Sequence, residues 1–128
     1  MIHPVQTMKF PIFDGHFWVV KDGVIIDPFF DVYYQKALIR RVPTKRHYHA
    51  APEDVQKFFM DLMKPYWEKV KEGYAILPGY CCFNALHEAE LNGGEVVFGS
   101  MGFGMKPNVF WEYGDPSWKR PKKFLKSI

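Results

Sequence analysis

HFWVVKDGVIIDP, residues 16–28, decides the fold class. Two runs rich in β-branched and aromatic residues, Gly15 to Val20 and Val24 to Phe30, flank Asp22-Gly23. Asp-Gly between apolar runs is a strong hairpin signal, because both turn residues tolerate positive φ. Pro28 ends the second strand or holds it at an edge, since proline cannot donate to a ladder. A two-residue turn places Lys21 opposite Val24, Trp18 opposite Asp27 and His16 opposite Phe29. His16 and Asp27 are then diagonal neighbours on one face, their Cβ atoms roughly 7 Å apart or less. A slip of one residue would send them to opposite faces.

Downstream, Asp31 to Val42 reads as a short helix or a third strand, and Pro43 interrupts it. From Pro52 to Glu72 apolar residues recur at helical spacing: Val55, Phe58, Phe59, Leu62, Met63, Tyr66, Trp67 and Val70. Pro52 suits the first turn and Gly73 the position after the end. Pro65 lies inside the pattern and predicts a kink or a division of the helix. After Pro78-Gly79 a second helix begins at Cys81 or Cys82 and stops at Asn92-Gly93-Gly94. Glu95 to Met105 and Asn108 to Tyr113 read as strands. The expected fold is α+β: a small antiparallel sheet, a helix carrying Cys81 packed on it, and one long kinked amphipathic helix.

At 128 residues the chain fits one domain large enough to bury its own core. Hydrophobic residues at 48% and charged residues at 24% argue against disorder. Aromatic residues reach 18%, which predicts a core of large rings or an aromatic-lined cleft. Met1 to Phe10 holds no long apolar run, so no signal peptide is expected, and no stretch is long enough to cross a membrane. The two cysteines are adjacent and cannot staple the chain, which points to free thiols in a reducing, cytoplasmic setting. Net charge is +3, with Arg40, Arg41, Lys45 and Arg46 in one cluster. Lys119, Arg120, Lys122, Lys123 and Lys126 make a second, in a basic and loose tail from about 117. Such clusters can grip phosphates, but a solvated face and a loose terminus account for them more simply.

Cys81 falls at the first turn of its helix, where the partial positive charge of the N-terminus favours the nucleophilic thiolate. Cys82 falls in line with Leu86 and Ala89, an apolar stripe that looks like core. His16 and Asp27 supply what a thiol nucleophile needs: an imidazole, and a carboxylate that fixes its tautomer. Burial statistics alone make a free cysteine structural, and a surface pair would explain His16 and Asp27 equally well. His47 and His49, with His3 and His87 isolated, match no zinc module, so no metal is expected. No phosphate-binding glycine loop, G-x-S-x-G elbow or dinucleotide fingerprint is present.

The segment His16 to Pro28 resembles a motif of transglutaminase-like thiol enzymes, in which a His-x-Trp strand is followed by a turn and a strand ending in Asp-Pro. CCFNA, Cys81 to Ala85, resembles the Cys-x-x-Asn-Ala helix start of small transglutaminase-like proteins. The family order is Cys, His, Asp, whereas here His and Asp come first. The resemblance is therefore to a circularly permuted relative, of a kind also known among papain-like and NlpC/P60-like proteins. It implies Cys81 as nucleophile, His16 as base and Asp27 as the orienting carboxylate, with no cofactor. Trp18, Asn84 and Trp111, with Phe29 and Phe30, are the expected substrate contacts.

The expected function is cysteine-dependent acyl transfer or amide hydrolysis on a peptide, amide or small molecule. A non-catalytic binding module on the same scaffold, holding an acidic partner or small ligand, is the alternative. Nucleic-acid binding through the basic clusters is a third and weaker one.

Overall fold

The structure, a computed structural model, describes residues 2–13, 15–29, 47–101 and 125–126. The hairpin forms at its expected register. Strand β2, His16–Lys21, pairs antiparallel with β3, Val24–Ile26, through Val19↔Ile26, Val20↔Ile25 and Lys21↔Val24. Asp22 and Gly23 take φ of 51° and 78°, the double positive φ that a two-residue turn requires. The ladder ends at Ile26, one residue short of Asp27, so Asp27 is freed from strand pairing just before Pro28.

On its other side β2 pairs with β5, Glu95–Met101, which pairs in turn with β4, Tyr48–Ala50. The result is an antiparallel sheet of four strands in the order β3-β2-β5-β4. Strand β1, Ile12–Phe13, forms a separate antiparallel pair with β6, Leu125–Lys126. Those last two residues lie in the segment expected to be a loose tail, and here they are paired.

Helix α1, Glu53–Val70, buries Val55, Phe59, Met63, Trp67 and Val70, a stripe at intervals of four, four, four and three. Phe58 was expected in this stripe and is instead exposed. Pro65 does not divide the helix as its position predicted: α1 runs unbroken through it. Proline removes the bond to the carbonyl of Asp61, but both residues are exposed, so water can take the place of the lost donor. Helix α2, Cys81–Asn92, has the expected bounds and ends at Gly93.

Both helices pack on one face of the sheet, against Phe17 and Val19 of β2 and Phe98 of β5. The rings interlock, Phe59 stacking on Phe98 at 4.4 Å and Phe17 tilting against it at 4.8 Å. Trp67 of α1 donates its indole N–H to Glu90 of α2 at 2.9 Å, fixing the helices side by side. Among the described residues no helix is long and apolar enough to cross a membrane.

Candidate active site

The hairpin sets the first half of the site. His16 and Asp27 are 8% and 5% exposed, and the His16 ring donates Nε2–H to Asp27 Oδ2 at 2.6 Å. Asp27 has further partners. The Tyr48 hydroxyl donates to the same Oδ2 at 2.7 Å, and the Phe29 backbone N–H donates to Oδ1 at 3.1 Å. A buried carboxylate anchored on both oxygens is a fixed acceptor, so it orients the imidazole rather than following it.

The second half comes from matched lengths. Twelve residues of α2 and six of β2 both span about 17 Å at their usual rises. At one end Lys21 Nζ donates to the Asn92 carbonyl. At the other, Cys81 comes alongside His16, close enough to act on the ring by hydrogen bonding and by charge. Nε2 is committed to Asp27.

Burial is the largest influence on His16 and disfavours its charged form. The bonds to Asp27 and then to Cys81 together outweigh it and raise its pKa from 6.5 to about 9. The ring therefore holds its proton through neutral pH and loses it as pH rises through about 9. Cys82 is more deeply placed than the part-buried Cys81. It is buried in the core cluster, and burial, with Cys81 alongside, pushes its thiol well up. Such a thiol stays protonated and unreactive.

Tyr80, at the N-cap of α2, provides no side-chain cap. The first-turn N–H groups thus keep their donor capacity for a developing oxyanion beside Cys81. A cleft of about 510 Å³ opens there, walled by Phe10, Phe13, Phe17, Tyr80 and Phe83. Cys81 and Cys82 both line it while His16 and Asp27 do not, and Cys81, which also acts on His16, is where the polar cluster and the cleft meet.

The expected substrate contacts are placed differently. Asn84 is 0% exposed: its Oδ1 accepts from the Tyr74 hydroxyl and the Leu77 N–H, and its Nδ2 donates to the Leu77 carbonyl. It clamps the loop that leads into α2. Trp18, 2% exposed, stacks on His16 at 6.0 Å and meets Tyr48 edge-on at 4.9 Å. It is a backing plate for the imidazole, not a cleft wall. Phe29 is set edge-on to His16 at 5.3 Å. Trp111, Phe30 and the basic residues 40–46 and 119–123 lie outside the described residues.

Two parts of the site went unread in the sequence. Tyr48 stands on a three-residue strand with no alternating pattern to mark it. Phe10 and Phe13, just before the hairpin, carry no pattern that marks them as cleft walls. Among the described residues, no three potential ligands come together as a metal site. Compared with known protein families, curated proteins and solved structures, the chain matches none.

Proposed function

We propose that this chain is a thiol enzyme, with Cys81 as nucleophile, His16 as its acid–base partner and Asp27 as the orienting group. Within that class it is an acyl-transfer enzyme or hydrolase acting on an amide or ester carbonyl. The observation that carries the reading is His16, bonded to a fully anchored carboxylate on one side and set against a helix-N-terminal cysteine on the other. A cationic imidazole beside a sulfur favours its thiolate form. The resemblance of residues 16–28 and 81–85 to transglutaminase-like motifs points the same way.

In the reaction, the Cys81 sulfur attacks the carbonyl carbon and a sulfur–carbon bond forms. The first-turn amides of α2 receive the oxyanion. As the tetrahedral species collapses, the bond to the leaving nitrogen or oxygen breaks and His16 delivers its proton to that atom. Water or an amine then attacks the thioester, giving its proton to His16, and the thiolate leaves. Free cysteines fit a reducing compartment, and a cytoplasmic location is part of the proposal.

The test is capture of the acyl-enzyme. With excess p-nitrophenyl acetate, one equivalent of nitrophenolate per chain is expected in a rapid phase. Digestion and mass spectrometry should then find the acetyl group on Cys81 and not on Cys82. Release no faster than free cysteine gives, with no labelled Cys81 peptide, would refute the assignment.

A further inference from the structure

The cleft beside Cys81 has a chemistry of its own. Its walls are Phe10, Phe13, Phe17, Tyr80 and Phe83, completed by Pro11, Met63 and Pro78, with Cys81 and Cys82 at one side, and among the described residues no charged side chain lines it. Its volume of about 510 Å³ falls within the roughly 300–1,000 Å³ range of small-molecule sites. The walls are well supported. Phe10 meets Phe83 edge-on at 5.2 Å, and Phe13 packs on Phe59 at 4.6 Å within the core. Such a pocket favours apolar groups by removing their surface from water, and it disfavours a charge that would find no partner there.

We infer that this cleft is the acyl-side specificity pocket, and that the preferred substrate carries an uncharged aromatic or alkyl acyl group. The inference rests on Cys81 as nucleophile. Cys81 lines the cleft, so an acyl carbonyl presented to the sulfur has its chain lying among the rings. The leaving group then departs on the side of His16, which protonates it. An acidic acyl chain would bring a charge among aromatic walls and is disfavoured.

The test is a series of p-nitrophenyl esters with acetyl, butyryl, octanoyl, phenylacetyl and succinyl groups. Each rate of Cys81 acylation is divided by the rate of the same ester with free cysteine, which removes intrinsic reactivity. Each buried methylene is expected to add roughly fourfold, so butyryl, with two more, should exceed acetyl by about fifteenfold, with octanoyl and phenylacetyl at least as fast. Succinyl should fall below acetyl. Phe10→Glu should collapse the octanoyl-to-acetyl ratio, and the native series decides the matter even if that variant folds poorly. Fast labelling of Cys81 with equal normalised rates across the series would overturn the pocket and leave the nucleophile standing. No labelling of Cys81 by any ester would overturn both.

Discussion

Replacing Cys81 by alanine is expected to leave the fold as it is and to lower ester turnover by roughly a thousandfold or more. The side chain is only part-buried, at the first turn of α2, so losing its sulfur opens little space in the core. Chemistry, by contrast, loses the atom that forms the covalent bond. Cys82→Ala should do the reverse. Cys82 packs in the core cluster, so its truncation should cost about 1 kcal/mol of stability while turnover per folded molecule persists. Initial rates and urea unfolding of the two variants separate these effects. Turnover retained by Cys81→Ala and lost by Cys82→Ala would move the nucleophile one residue along.

The second large effect is expected at Gly99, away from the thiol. Gly99 pairs with His16 on one side and Ala50 on the other. A Cβ there would run into the His49 carbonyl oxygen and lie 2.9 Å from the Ala50 Cα. Both obstacles are backbone atoms and cannot rotate aside, so β4 must move away from β5. Gly99→Ala should therefore cost about 3 kcal/mol. It should also withdraw Tyr48 from Asp27, since Tyr48 sits on the displaced strand. The unfolding midpoint reads the first consequence and the rate of Cys81 acylation the second. A variant as stable as the native chain would contradict the β4–β5 pairing.

What could be read from the sequence follows the range of the forces involved. The hairpin was legible because Asp22-Gly23 sets its register locally, and that register brings His16 and Asp27 to one face. The bounds of α2 were legible from Pro78-Gly79 before it and Gly93-Gly94 after it. Strand β4 was not, because three residues carry no period and its bonds arise only when β5 is alongside. The same limit hid Tyr48, whose partner Asp27 is 21 residues away in the chain. The bonds of Asn84 are hidden from the sequence for a related reason. A polar residue near a helix start looks like a ligand contact until the loop it clamps, through Tyr74 and Leu77, is seen around it. Of the two outcomes that Pro65 suggests, division does not occur, because the exposed Asp61 carbonyl that loses its donor can turn to water.

The central claim is that Cys81 is an activated thiol, and its rate of alkylation by iodoacetamide near neutral pH tests this most directly. Native Cys81 should react roughly tenfold or more faster than the same residue in the unfolded chain. Because His16 keeps its proton up to about pH 9, that advantage should hold through neutrality and shrink as pH rises through about 9. His16→Ala should remove it, and Asp27→Asn should reduce it less, since the ring remains but its orientation loosens. A native rate equal to the unfolded rate, unmoved by either substitution, would contradict the account and leave a binding module without catalysis as the better description.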